Sequence, residues 1–100
     1  MELITTVENA NAVIALDGKL TVAAAPDLEA EIAALPEDVA NVDFDLANLE
    51  YVASAGLRVI VAASKRCNGA GGRLRLLHPN EEVMEVFDAT GLVEILNIEP

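Results

Sequence analysis

The stretch Val42-Asp43-Phe44-Asp45-Leu46 alternates apolar and acidic residues, and from Ser54 the apolar spacing changes to three and four. Strict alternation belongs to a strand with one wet face, whereas Leu57, Ile60, Val61 and Ser64 fall on one side of a helix. This switch between two periods constrains the fold more than any single motif, because it recurs along the chain. Leu3 to Thr6 and Ala12 to Leu16 are β-prone runs separated by Glu8-Asn9 and Asn11, which predicts two strands joined by a tight turn. Asp17-Gly18 is expected to end the second strand. Ala25-Pro26-Asp27 opens a helix, since proline in a first turn lacks only an N–H that had no partner. Asp27 and Glu29 suit its positive end, Leu28, Ile32 and Leu35 share a face, and Pro36 stops it.

After the helix from Ser54, Asn68-Gly69-Ala70-Gly71-Gly72 is a stop, and Leu74 to Leu77 predicts a further strand before Pro79. Asn80 is a good N-cap for a third helix, with Glu81 and Glu82 in its first turn and Val83, Val86 and Phe87 facing inward. Gly91 caps that helix and Val93 to Ile98 is expected as the last strand. The order β-β-α-β-α-β-α-β predicts an α/β fold, a mixed sheet packed with three to four helices in one domain spanning residues 1–100. With aromatic residues at 3% and no Trp, the core must be aliphatic, with Phe44 and Phe87 as its aromatic candidates.

Seventeen acids against six bases give a net charge of −11, which speaks against generic nucleic-acid or anionic-membrane binding. With one Cys and one His, neither a disulfide within the chain nor a structural zinc site can be assembled. The acidic start Met1-Glu2-Leu3-Ile4 does not resemble a signal peptide, and no apolar run approaches the roughly 20 residues that cross a bilayer. A soluble cytoplasmic domain is expected. Cys67 reads as a packing residue, and His78 reads as a loop residue with no Asp or Ser partner. The glycines at 69, 71 and 72 lack the Lys-Ser/Thr of a phosphate-binding loop, so neither an enzyme nor a bound cofactor is expected.

The acids are unevenly placed. Residues 51 to 80 contain none, yet hold Arg58, Lys65, Arg66, Arg73 and Arg75. On the helix from Ser54, Arg58, Ala62 and Lys65 form a stripe away from the apolar face, flanked by Val59, Ala63 and Arg66. Such a stripe is either a solvated face with bases near the helix C-terminus or a surface on which another protein packs. Ser54 has two readings as well. It is a good N-cap, although Leu57 rules out a capping box, and it also sits where the helix dipole, free N–H groups and Arg58 would welcome a phosphate.

The segment Asp45-Leu46-Ala47-Asn48-Leu49-Glu50-Tyr51-Val52-Ala53-Ser54-Ala55-Gly56-Leu57 resembles the signature of the STAS family, the sulfate transporter and anti-sigma factor antagonist domains. Leu16-Asp17-Gly18-Lys19-Leu20 with Ala25-Pro26, and later Gly71 to Leu77, Pro79, Glu82-Val83, Val86-Phe87 and Thr90-Gly91-Leu92, resemble that family in order and spacing. The resemblance implies an anti-sigma factor antagonist that binds an anti-sigma factor acting as a serine kinase. That partner would supply the ATP, and phosphorylation of the antagonist at Ser54 would release it. It also implies partner contacts at Ala53, Ala55, Gly56, Arg58, Val59, Ala62, Lys65 and Arg66. The family's acid before the serine is Ala53 here, its second small polar residue is Ala55, and its Glu and Asp near the start are Lys19 and Thr21. Loss of the acid keeps an alternative open, a subunit bound to a transporter ATPase in phospholipid transport and working without a phosphorylation cycle.

Overall fold

Glu2–Glu8 (β1) pairs antiparallel with Asn11–Leu20 (β2) across a two-residue turn, in which Asn9 takes the left-handed φ of 57° that asparagine tolerates. In the computed structural model, which describes residues 1–99, the chain continues through α1 (Ala25–Ala33), β3 (Asn41–Val52) and α2 (Ser54–Gly69). It then forms β4 (Arg73–Leu77), α3 (Glu81–Ala89), a 3-10 turn at Leu92–Glu94 and β5 (Asn97–Glu99). Pro100, the last residue of the expected 1–100 domain, lies outside the described residues. The sheet order is β1-β2-β3-β4-β5, with β2, β3, β4 and β5 mutually parallel. This is the mixed α/β sheet with three helices that the alternating periods predict.

Alternation decides which face is covered. Ile14, Leu16, Val42, Phe44, Leu46, Leu74 and Leu76 are buried, and the residues between them point to the other side. Leu28 and Ile32 of α1, Ile60, Ala63 and Cys67 of α2, and Val83 and Phe87 of α3 close the core over them. Phe44 and Phe87 are fully enclosed, as expected, and truncating either to Ala would remove about 3–5 kcal/mol.

Several boundaries differ from the sequence reading. Asp17-Gly18 does not end β2, because the strand runs to Leu20. The partner strand accommodates it with one extra residue between Asp45 and Asn48 and another between Leu49 and Tyr51. These bulges carry β3 to Val52, well past Leu46, and break its alternation, so Leu49 and Val52 are buried at a spacing of three. An Asx-type bond from the Ala47 N–H to Asp45 Oδ1 (3.1 Å) marks the first irregularity. The last strand is shorter than Val93 to Ile98. The Ile95 and Leu96 N–H groups still bond to the Leu92 carbonyl, so extended backbone begins only at Asn97.

α1 also ends sooner than its apolar spacing suggests, at Ala33, with Leu35 and Pro36 beyond it, whereas the later helix stops are as read. The α2 stop is a Schellman motif, with Gly71 at φ 86°, its N–H bonded to the Asn68 carbonyl (3.1 Å) and the Gly72 N–H to the Cys67 carbonyl (2.9 Å). Asn80 caps α3 through Oδ1, which accepts from the Val83 N–H at 2.8 Å, while its Nδ2 donates to the Leu49 carbonyl at 3.1 Å. The cap therefore also ties α3 to the bulged end of β3.

On the uncovered face, Asp43 accepts from Arg75 through both oxygens (2.8 and 2.7 Å) and from Arg73 Nη1 (3.0 Å), and Arg75 also meets Glu99 at 3.2 Å. These hydrogen bonds, Arg75's above all, hold the Asp43 carboxyl below its ordinary 3.8 despite partial burial, and Asp43 in turn raises Arg75. Because the folded value of Asp43 is depressed, its stabilisation is complete above 3.8 and is lost as pH falls through the lower folded value. Replacing Asp43 by Asn should cost about 1 kcal/mol at neutral pH, since the arginines are partly solvated, and should flatten the acid limb of stability. Urea melts from pH 7 down to below pH 3 test this. An unchanged acid limb in the variant would remove Asp43 from the account.

Candidate partner-binding surface

The parallel ladder sets the start of α2. The Ala53 N–H donates to the Leu20 carbonyl (2.8 Å), leaving Ala53 extended at φ −90° and ψ 166°. Its carbonyl accepts the first helical bond from the Leu57 N–H (3.1 Å). Ala53 is therefore the cap residue and Ser54 the first helical residue, which corrects the reading of Ser54 as an N-cap. No side-chain cap closes this end, and the Ser54 side chain is exposed beside the unpaired first N–H groups of the helix.

Gly56 faces the opposite way. A Cβ there would lie 2.5 Å from Leu20 Cγ and 3.2 Å from Val52 Cγ2, so only glycine lets α2 settle on the ends of β2 and β3. Gly56 is buried and sets the depth of the helix, so it is no surface contact, contrary to the expectation from the motif. Val59 is only 7% exposed because α1 packs along α2, which leaves it at most a margin to offer a partner. Arg66 is also committed. Its Nη1 donates to the Val39 carbonyl (2.9 Å) and its Nη2 to the Pro36 carbonyl (3.1 Å), pinning the loop before β3.

Before its last turn, where Asn68 and Gly69 are also exposed, α2 leaves Ser54, Arg58, Ala62 and Lys65 exposed, with Ala53 and Ala55 half-buried beside them. Arg73 and Arg75 belong to the far side of the sheet with Asp43, so the acid-free window does not form one basic patch. Of its five cations, Arg58 and Lys65 alone have neither a carboxylate partner nor a carbonyl to hold them among the described residues.

Two depressions flank this ridge, and Arg58 and Ala62 line both. One, of about 430 Å³, lies toward α1 and includes Val22, Ala25, Pro26, Glu29 and Ala55. The other, of about 450 Å³, lies toward the Leu92–Glu94 turn and includes Leu57, Val61, Lys65, Thr90 and Leu92. Val22, 71% exposed, and Leu92 were not legible as surface participants, because only the docking of their elements beside α2 brings them there. A third depression, about 650 Å³, is lined by Lys19, Thr21, Glu50, Tyr51, Asn80 and Glu82. Thr21 accepts the Ala24 N–H at 3.2 Å and so shapes the approach to α1.

His78 is exposed in the loop after β4 at φ 58°, its N–H bonded to the Glu99 carbonyl (2.8 Å). Cys67 is fully buried, and burial pushes its thiol up, as befits a packing residue. Among the described residues no cluster of His, Cys, Asp and Glu could hold a metal ion, and no helix is long and apolar enough to cross a membrane.

The family model described as the STAS domain matches residues 3–100. The anti-sigma-B factor antagonist of Bacillus subtilis (strain 168) is 35% identical over 81 residues, 81% of this chain and 74% of that protein. An anti-sigma factor antagonist from Mycobacterium paratuberculosis superposes with a TM-score of 0.86 at 21% identity, covering 99% of this chain and 85% of that one. The antagonist SpoIIAA in its unphosphorylated form gives 0.77 at 20% identity, covering 99% of this chain and 87% of that one. The phosphorylated form of the Bacillus cell fate determinant SpoIIAA gives 0.76 at 22%, covering 97% and 90%. At these identities the structures establish a shared fold.

Gly56→Ala separates a packing role from a contact role. The better helix propensity of alanine, about 1 kcal/mol, is opposed by overpacking against the fully buried Leu20, so we expect a net loss of about 1–2 kcal/mol in urea denaturation. Full stability combined with weakened partner binding would return Gly56 to the surface.

Proposed function

Because the chain belongs to the STAS domain family, we propose that it is an anti-sigma factor antagonist, binding an anti-sigma factor through the exposed ridge of α2 and released by phosphorylation of Ser54. The observation that carries this reading is the placement of Ser54. Its hydroxyl is exposed at the first position of α2, one turn before Arg58, at the head of a ridge flanked by two grooves. The partner serves as the kinase and brings its own ATP. Ala53, Ala55, Arg58, Ala62 and Lys65 form the contact surface, with Val59 at its margin. The reading places the protein in the cytoplasm, as a regulatory binding domain.

The switch needs no rearrangement of the fold. A phosphoserine adds about −1.5 to −2 charge at neutral pH. At the first position of a helix that charge lies at the favourable end of the dipole. An anion four residues before a cation is also the better orientation of such a pair, so Arg58 would be drawn toward the phosphate and away from a partner. A desolvated interface that had accepted a neutral hydroxyl and a free guanidinium would meet a dianion instead, which favours dissociation.

Ala53 favours a second reading. With no acid before Ser54, a kinase has one fewer feature to recognise, and the same ridge would serve a constitutive complex with a transporter ATPase. Affinity capture from the native lysate, with phosphatase inhibitors and mass spectrometry of bait and captured chains, separates the two. Phosphate on Ser54 with a captured anti-sigma kinase supports the switch, whereas unmodified Ser54 with a transporter ATPase supports the alternative. With the captured kinase and ATP, Ser54→Ala should bind normally but no longer release. Ser54→Asp should bind at least about tenfold more weakly, a change of about 1.4 kcal/mol. Wild-type behaviour of both variants would end the switch assignment.

A further inference from the structure

We propose that the groove between α2 and the Leu92–Glu94 turn seats an acidic amphipathic helix of the partner protein. This inference rests on the antagonist reading and specifies the chemistry of its partner. Leu57, Val61 and Leu92 form the floor of this depression of about 450 Å³, Thr90 closes one side, and Arg58 and Lys65 stand on its rim. Val61 and Leu92 are half-buried, so aliphatic surface stays wet until something covers it, and covering it is favourable by about 25 cal/mol per Å². The Thr90 hydroxyl is already bonded to the Val86 carbonyl at 2.8 Å, so the wall demands no hydrogen bond from an occupant.

The lining residues of α2 favour a helix over an extended peptide. Leu57, Val61 and Lys65 form one row at four-residue spacing, and Arg58 and Ala62 form a second. Two such rows enclose the kind of furrow that receives the side-chain ridge of another helix. Charge then selects the occupant. The rim cations have no partner among the described residues, lie in a stretch of chain without acids, and stand seven residues apart, about 10.5 Å along α2 at 1.5 Å per residue. A helix lying alongside meets both with carboxylates seven residues apart. Its apolar residues three and four positions after the first carboxylate share that face and reach the floor. The partner motif is therefore acid-x-x-apolar-apolar-x-x-acid. The net charge of −11 does not forbid this, since charges beyond the Debye length of about 8 Å at physiological salt are largely screened.

The test uses the full chain, isotopically labelled, titrated with a stapled helical peptide carrying two glutamates seven residues apart around a leucine pair. A control peptide has lysines in place of those glutamates. The acidic peptide should shift the backbone amides of Arg58, Val61, Lys65 and Leu92, and should bind about tenfold or more tightly than the lysine peptide. It should weaken several-fold when salt rises from about 0.05 to about 0.5 M. Lys65→Glu, at an exposed position, should weaken it by about tenfold. Equal binding of the two peptides, no shifts at these amides at about millimolar peptide, or shifts centred on the open sheet face would overturn the proposal. So would self-association of the chain that Lys65→Glu abolishes, because the acidic α3 of a second copy would then be the occupant. No kinase or phosphate enters this assay. Failure of the antagonist reading therefore appears in the lysate and Ser54 experiments, and failure of the groove assignment appears here.

Discussion

All three helices cover the same face of the sheet, and the rest of the structure follows from that arrangement. Each parallel connection runs from one strand to its immediate neighbour in the same direction, and right-handed crossovers then return every helix to the same side. The chain accordingly has one aliphatic core, between helices and sheet, and one uncovered sheet face. α2 follows the central strand, with α1 packed along it and the Leu92–Glu94 turn near its other flank. Its outward ridge is therefore bounded by depressions on both sides. The candidate surface is what remains of a helix once its neighbours have claimed the rest.

Electrostatics divides along the same boundary. Strand alternation places Asp43, Arg73 and Arg75 on the open face, where the carboxylate and guanidinium groups satisfy one another. Arg66, at the end of α2, satisfies loop carbonyls. Of the cations between residues 51 and 80, those left over among the described residues are Arg58 and Lys65, on the ridge. A charge map along the sequence shows a basic window, but it cannot separate cations used within the fold from those left to meet something else. That separation gives the surface its chemistry, because an exposed and unpaired guanidinium costs little to desolvate against a carboxylate and is readily captured by a phosphate.

Ser54 joins rigidity to accessibility. Gly56 holds α2 against Leu20 and Val52, and the Ala53 N–H continues the ladder of β2, so the helix start is fixed by backbone and close packing. The hydroxyl two residues before Gly56 takes no part in that fixing. A covalent change there can alter the charge of a surface while leaving the core untouched, as a switch acting by electrostatic repulsion in place of shape requires.

By itself the sequence determined the element order, the apolar core with Phe44 and Phe87, the helix stop at Gly69 to Gly72, and the Asn80 cap. These depend on local periodicity and on residues whose backbone preferences act within a few positions. It also singled out Ser54 and the Arg58, Ala62 and Lys65 stripe, because a helix presents a fixed period to solvent. The tertiary structure decided the rest. The bulges that extend β3 to Val52 follow from how β2 pairs with it, and no alternation reveals a partner's register. Gly56 became a packing residue, Arg66 a loop clamp and Val59 a buried one only when Leu20, Pro36 and α1 arrived beside them from distant parts of the chain. Ser54 moved from cap to first helical residue because the Leu20 carbonyl holds Ala53 in an extended conformation. Local pattern fixes which side of a helix is polar, whereas long-range packing fixes which of those polar groups are still free.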